Sequence, residues 1–337
     1  RLENYLLTDG QDQACIEYEG AACSIRYANG QLQIDEHDTG GYRLPQIMYV
    51  PAERNFIAYV RHPGELKLSS DSLKEFLTEF DNAKSSLKGN LRLPINEAEL
   101  EYDKLNDILN IREPAYKLRL TDASSGFQSA VPLYLVSHYL ADSVKQSRQQ
   151  PQDTMSTDEL SRFKRGVEKI FSNASLTEEQ VRAAISVLSS RFNKSAFINI
   201  VEEPEQNLYP LSQWNMLKSL LSFNHQADHN QLVLTTHSPY IVNYLSLAVQ
   251  GKLLHQRLIE AGAQESLLAR LEQVIPFTAL LDPEELAIYQ SDERTGTLTR
   301  LGCVGGLPTD HNYLNDLLRK GNDLFDQLLE IEEELPV

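Results

Sequence analysis

Apolar and polar positions alternate along the first part of the chain. Ala14-Cys15-Ile16-Glu17-Tyr18 and Ser24-Ile25-Arg26-Tyr27 keep a period of two, which sends successive side chains to opposite faces of a strand. Gly20 and Asn29-Gly30 interrupt the pattern, and Asn-Gly is a strong hairpin signal. Gln31-Leu32-Gln33-Ile34 continues it, so residues 14–35 read as an antiparallel meander. The run Gln46-Ile47-Met48-Tyr49-Val50 reads as a buried strand stopped by Pro51. The period then lengthens. Leu73, Phe76, Leu77 and Phe80 stand at helix spacing behind Ser70-Asp71. Residues 95–112 read as a charged helix around Leu100, Leu105 and Leu109. Val131 to Leu140 reads as an apolar helix opening at Ala130, with Pro132 near its first turn. Residues 144–158 are polar and read as a solvent-exposed linker or excursion. A helix restarts near Asp158. Another is expected at Ser175 or Thr177, where Ser175-x-x-Glu178 and Thr177-x-x-Gln180 offer capping boxes.

The next stretch changes the plan of the fold. Ala196 to Val201 is a strand, Leu208 to Leu221 carries helix spacing, and Gln231 to Thr236 is a second strand. Strand, helix, strand is the parallel α/β arrangement, whose ligands bind at the carboxyl ends of the strands. In the tail, Leu286 to Gln290 and Thr297 to Leu301 flank a turn, and a helix over Leu314–Glu334 closes the chain. The working division is 1–60 for the antiparallel part, 61–195 for a helical subdomain, 196–245 for the core, and 246–337 for a hairpin and helical cap.

Composition narrows the class. The 337 residues are 41% hydrophobic, enough to bury a core. No apolar run approaches the ~20 residues of a membrane span. The opening residues lack the basic and apolar regions of a secretory leader. Three cysteines, Cys15, Cys23 and Cys303, form neither a disulfide framework nor a zinc pattern, which points to the cytoplasm. The net charge of −17 argues against binding nucleic acid by bulk charge and leaves a local basic strip open.

The candidate chemistry lies at the strand ends. Glu202-Glu203 follows an apolar strand directly, and paired carboxylates there suit nucleotide hydrolysis: one near a Mg²⁺ ion, one orienting the attacking water. Two solvated loop glutamates are the plainer alternative. His237 follows the second strand in Thr235-Thr236-His237-Ser238-Pro239, where a structural histidine is the alternative. Upstream, Asp122-Ala123-Ser124-Ser125-Gly126-Phe127-Gln128 opens an apolar helix, whose N-terminus favours anions.

Phe197-Ile198-Asn199-Ile200-Val201-Glu202-Glu203-Pro204-Glu205-Gln206-Asn207-Leu208-Tyr209-Pro210 resembles the Walker B strand and D-loop of ABC-type ATPases, in the form found in the RecF, SMC and OLD-like branch. The His237 segment resembles the H-loop, and the Ser124-Ser125-Gly126 turn resembles the signature motif. Their order matches that family over about residues 14–245. The resemblance implies an α/β P-loop NTPase fold: a mostly parallel core sheet, an antiparallel β subdomain and a helical insert. It implies ATP and Mg²⁺ as ligands, Glu203 and His237 as catalytic residues, and Glu202 near the metal. Ser124, Ser125, Gly126 and Gln128 would meet a nucleotide held by a second subunit, so a homodimer or higher homo-oligomer is implied. Tyr49-Val50-Pro51-Ala52-Glu53-Arg54 stands at the Q-loop, with Glu53 and Arg54 as candidate nucleotide contacts. A Glu53–Arg54 salt bridge is the alternative. Pro-Ala-Glu-Arg is similar to ATPases of anti-phage defence systems (PARIS and OLD-like), which implies a protein effector as partner.

The resemblance is incomplete. No Gly-x-x-x-x-Gly-Lys-Ser/Thr occurs; Gly251-Lys252 is followed by Leu253. The chain opens at Arg1 rather than Met, so the expectation is a preceding segment that carries the phosphate loop. A degenerate ATPase, or an ATP-sensing scaffold, is the rival. A RecF-like repair ATPase is a third reading. Residues 66–112 and 140–190 hold only short helical segments, against an SMC-like tether. Nuclease chemistry is disfavoured, since Asp282-Pro283-Glu284-Glu285 and Asp292-Glu293 end no apolar strand as Asp-x-Asp.

Overall fold

The computed structural model describes residues 15–20, 23–28, 31–37, 45–59, 70–149, 157–171, 181, 194–292 and 294–334. The chain divides into two compact units, Arg1–Leu44 and Pro45–Val337. In the first, β1 (Ile16–Glu19), β2 (Cys23–Ala28) and β3 (Gln31–Glu36) form the expected antiparallel meander, with Ala28 opposite Gln31 across the second turn. Asn29-Gly30 lies outside the described residues.

The second unit is built on a parallel sheet of order β10-β9-β4, formed by β4 (Pro45–Val50), β9 (Ala196–Glu202) and β10 (Gln231–Thr235). Register sorts its side chains. Met48, Val50, Phe197, Val201, Leu232 and Leu234 share the face packed into the main apolar core. Asn199 sits on that face too, where its Nδ2 donates to Ser137 Oγ at 3.0 Å. The opposite face carries Ile47, Tyr49, Ile198, Ile200 and Val233, of which Ile47 and Val233 are exposed. Parallel sheets are ordinarily covered on both faces, so this face is open by the standards of its class.

After β4 the chain makes a 3-10 turn over Ala52–Asn55 and a short helix, α1 (Phe56–Tyr59). Next comes α2 (Asp71–Ser86), whose N-cap Ser70 accepts from Leu73 N and whose apolar stripe buries Phe76, Leu77 and Phe80 as the spacing predicts. The helix expected over 95–112 is instead sheet. β5 (Leu91–Arg92), β6 (Glu99–Asp103), β7 (Ile108–Glu113) and β8 (Tyr116–Arg119) form an antiparallel sheet inside the stretch read as a helical subdomain. Leu105, which lay in the middle of the expected helix, is 97% exposed in the β6–β7 turn. Asp103 Oδ1 accepts from the backbone N–H of Leu105 and Asn106, a side-chain-capped turn that competes with helix. Leu100, Leu109 and Ile111 are buried, with Leu100 opposite Ile111 across the ladder.

α3 (Ser125–Gln149) starts five residues before Ala130 and runs on through the first part of the expected 144–158 linker. Pro132 therefore lies inside the helix, where its missing N–H leaves the Gln128 carbonyl without its helical donor. α4 (Thr157–Phe171) restarts where expected. The capping boxes at Ser175 and Thr177 lie outside the described residues.

α5 (Pro210–Asn224) links β9 to β10 and packs on α3. α6 (Pro239–Glu260) and α7 (Glu265–Val274) build a second core around Trp214, Leu217, Ile241, Val249 and Ile275. Gly251 permits that packing, because a Cβ there would lie 2.8 Å from Leu280 Cδ2. The tail forms the expected hairpin, β11 (Tyr289–Asp292) and β12 (Thr297–Arg300). A smaller one follows, β13 (Cys303–Val304) and β14 (Leu307–Pro308), before α8 (Tyr313–Glu333). Among the described residues, no helix is long and apolar enough to cross a membrane.

Candidate functional site

Because β9 and β10 are parallel and in register, with Thr235 opposite Glu202, their carboxyl ends leave the sheet side by side. Glu203 leaves β9 and His237 leaves β10. Glu203 Oε1 and His237 Nε2 lie 3.8 Å apart. The imidazole is open to solvent on most of its surface, whereas Glu203 is about two-thirds covered, its side chain 37% exposed. Glu203 has φ = +44°, a left-handed conformation that costs a non-glycine residue on the order of 1–2 kcal/mol. Three hydrogen bonds hold it. Its N–H donates to Thr235 O at 2.9 Å, and its carbonyl accepts from Gln206 N at 3.0 Å and from Arg54 Nη2 at 2.6 Å.

The histidine segment is pinned from its backbone. His237 N donates to Glu205 Oε1 at 2.8 Å, and Ser238 Oγ donates to Gln213 Oε1 at 2.7 Å. The ring itself stays free to meet a ligand. Glu202 faces the other way along the strand end, where its Oε2 accepts from Ala52 N at 3.0 Å and it bonds the Tyr49 hydroxyl. Burial, reinforced by the Glu202 carboxylate and then by Glu53, pushes the Tyr49 phenol up to about 12.

Arg54 departs from its expected role. It is fully buried, and its guanidinium serves four backbone carbonyls: Nε to Ser129, Nη1 to Pro51 and Glu202, Nη2 to Glu203. Four of its five N–H donors are thus engaged inside the chain, which leaves little with which to grip a phosphate. It makes no salt bridge with Glu53, which is exposed. Burial lowers the Arg54 pKa to about 10, partly offset by Glu205, Glu203 and Glu202, so the group stays charged at neutral pH. Its place is a clamp that fastens the β4 turn, the start of α3 and the carboxylate-bearing end of β9.

Ser124 and Ser125 are exposed at the N-terminal edge of α3. Gly126 packs against the segment after β9: a Cβ on it would lie 3.1 Å from Asn207 O. Next to it, Asn207 Nδ2 donates to Ser129 Oγ at 2.8 Å. Gln128 is buried, and its Nε2 donates to Leu120 O and Thr121 O, so it shapes the turn rather than reaching outward.

Glu202, Glu203, His237 and Arg54 thus converge within one chain, and the Ser124–Gly126 turn joins them through Arg54, Ser129 and Asn207. Tyr49, Glu205, Gln213 and Asn207 escaped the sequence reading as functional positions. Only Glu205 carried a local signal, as the third carboxylate of Glu-Glu-Pro-Glu. Among the described residues, no cluster of three or more His, Cys, Asp or Glu side chains is arranged to hold a metal ion by itself. Glu202 alone would suit Mg²⁺ only as one oxygen donor beside water and phosphate oxygens.

A family model described as "AAA domain, putative AbiEii toxin, Type IV TA system" matches residues 34–243, more than half of the chain. No curated protein matches it. The matched span contains Arg54, the Ser124–Gly126 turn, the carboxylate pair and His237, so the convergence just described falls within the family's own segment. The chain belongs to this AAA domain family, a family of nucleotide-binding, ATPase-type P-loop proteins.

Proposed function

We propose that this chain is an ABC-type ATPase head that hydrolyses ATP and pairs with a second copy to switch or hold a protein effector. The single observation that carries the reading is the 3.8 Å approach of Glu203 and His237 at the ends of adjacent parallel strands. Glu203 is the group that orients the attacking water and takes its proton. His237 donates a hydrogen bond to the charge that builds on the terminal phosphate oxygens. Glu202 is the carboxylate beside the metal; Mg²⁺, when bound, neutralises phosphate charge. Ser125 and the Gly126 N–H serve the nucleotide of the neighbouring subunit, aided by the N-terminus of α3.

Two features support a further glycine-rich polypeptide segment as the grip on the α- and β-phosphates. The sequence holds no such loop, and the sheet face beside Glu202 leaves Ile47 and Val233 open for packing. The second reading is an ATP-sensing scaffold in which Glu203 and His237 are inactive remnants. A RecF-like repair ATPase is the alternative within the enzyme class. A role in anti-phage defence rests on the resemblance of Pro51-Ala52-Glu53-Arg54 to ATPases of such systems; the family description itself concerns a toxin of a toxin–antitoxin system. The exposed or half-exposed free thiols of Cys15, Cys23 and Cys303 support a reducing, cytoplasmic compartment.

The pairing of heads is tested by complementation, using the complete gene product. Glu203→Gln and Ser125→Arg are each expected to release almost no phosphate from Mg-ATP. Mixed subunits are expected to regain activity, because one site of each mixed pair has an intact Glu203 and an intact Ser125. Absence of ATP binding in the wild type would favour the scaffold.

A further inference from the structure

Among the described residues, the last helix, α8, is held only at its beginning. Asn312 caps it by accepting from Asn315 N, Tyr313 N donates to Gln290 Oε1 of β11, and Arg319 Nη2 donates to Asp310 O. From Asp316 to Glu334 every residue is exposed. Yet its pattern is that of a buried seam. Leu314, Leu317, Gly321, Leu324, Leu328 and Ile331 recur at alternating steps of three and four, the 3.5-residue period of a two-helix coil. Leu318 and Phe325 widen the seam on one side. Phe325 is 60% exposed and Leu328 63%. An apolar stripe of this kind left in water is a site of association.

We infer that α8 is a self-association helix, pairing antiparallel with α8 of a second copy of this chain. Area supports a second copy. The exposed parts of Leu317, Leu318, Leu324, Phe325, Leu328 and Ile331 come to on the order of 600 Å² per copy, against the roughly 800 Å² per partner of a standard interface, which also counts polar rim. Charge selects the orientation. In the first half of the helix, Arg319 and Lys320 balance Asp316 and Asp323. The second half carries Asp326, Glu330, Glu332 and Glu333, followed by Glu334, and no cation. Parallel helices would set the two acidic halves side by side. Antiparallel helices set each acidic half beside the other copy's Arg319, Lys320 and helix N-terminus, where negative charge is favoured.

The seam accommodates that orientation. A two-fold axis between Gly321 and Leu324 brings Gly321 opposite the second copy's Leu324, Leu317 opposite its Leu328, and Leu314 opposite its Ile331. Leu318 then lies beside the second copy's Phe325. The glycine removes a side chain where the helices cross. Such an interface is self-complementary and closed at two copies. It forms without nucleotide, independently of the ATPase reading, and would raise the effective concentration of one head for another.

The complete protein is measured without nucleotide by light scattering on a sizing column. The expected result is a dimer that Leu324→Asp/Leu328→Asp converts to a monomer that keeps a cooperative thermal transition, its midpoint no longer rising with protein concentration as the wild type's does. Orientation is read in a variant with its cysteines replaced by serine. Copies carrying Leu317→Cys should form a disulfide with copies carrying Leu328→Cys, and not with each other. A wild-type monomer at tens of micromolar overturns the proposal and points to a different partner for the seam. So does a dimer that survives the double substitution, or disulfides between two Leu317→Cys copies.

Discussion

Replacing Arg54 by methionine keeps most of the side-chain length and removes every donor. Four backbone carbonyls, those of Pro51, Ser129, Glu202 and Glu203, each lose a charged donor at a site where the wild-type guanidinium is fully buried, although Pro51 O keeps the backbone N–H of residue 54 and Glu203 O keeps that of Gln206. Hydrogen bonds from a charged donor contribute about 1.5–3 kcal/mol each. Against this stands the cost of dehydrating the cation, several kcal/mol, which the methionine no longer incurs. The balance is a loss of about 3–5 kcal/mol, within the range for disrupting a buried charged network. Arg54→Lys, with a compact ammonium in place of the fork, should recover only part of it. Urea denaturation followed by circular dichroism measures the loss directly. Glu203 adds a second readout, because Arg54 helps hold it at φ = +44°. Released, it should relax, and ATP turnover in the surviving folded fraction should fall more than ATP affinity. Stability of Arg54→Met within about 1 kcal/mol of wild type would refute the clamp.

Two other changes follow from the same geometry. Tyr49, pushed up to about 12, holds its proton more tightly folded than unfolded, so stability is fully present below pH 10 and declines as pH rises from 10 through 12. Glu202→Ala should bring Tyr49 part of the way back, since burial, the larger cause, remains; difference absorbance titration against Tyr49→Phe measures this. Gly251→Val should destabilise the α6–α7 core by about 1–3 kcal/mol in denaturant titration, because a Cβ at Gly251 already meets Leu280 Cδ2 at 2.8 Å.

The residues that pair across the site were legible because each follows an apolar strand by one or two positions. Two parallel strands bring their ends together whatever else the chain does, so Glu203 and His237 had to meet if β9 and β10 were neighbours. Arg54 was legible as a polar residue after a strand and not as a clamp. Its acceptors are carbonyls of Ser129, Glu202 and Glu203, 75 to 149 positions away, and carbonyls belong to every residue type. Gln128 was misjudged for a similar reason, as its acceptors at Leu120 and Thr121 are also backbone. The β5–β8 sheet escapes a reading based on Leu100, Leu105 and Leu109, of which only Leu105 and Leu109 stand at a helical step, while the turn made by Asp103 and Asn106 decides the local path. Pro132 misled the start of α3, since a proline favoured in a first turn is tolerated here deep in a helix packed on α2 and α5.

The central claim is that Glu203 activates water for ATP hydrolysis in a site shared with His237. The most direct measurement is phosphate release from Mg-ATP by the complete gene product, beside Glu203→Gln, with ATP binding followed in parallel. The account predicts turnover in the wild type and a fall of about 10²- to 10⁴-fold in Glu203→Gln, with ATP still bound. Equal turnover in the two proteins, or bound ATP with no turnover in the wild type, would contradict it.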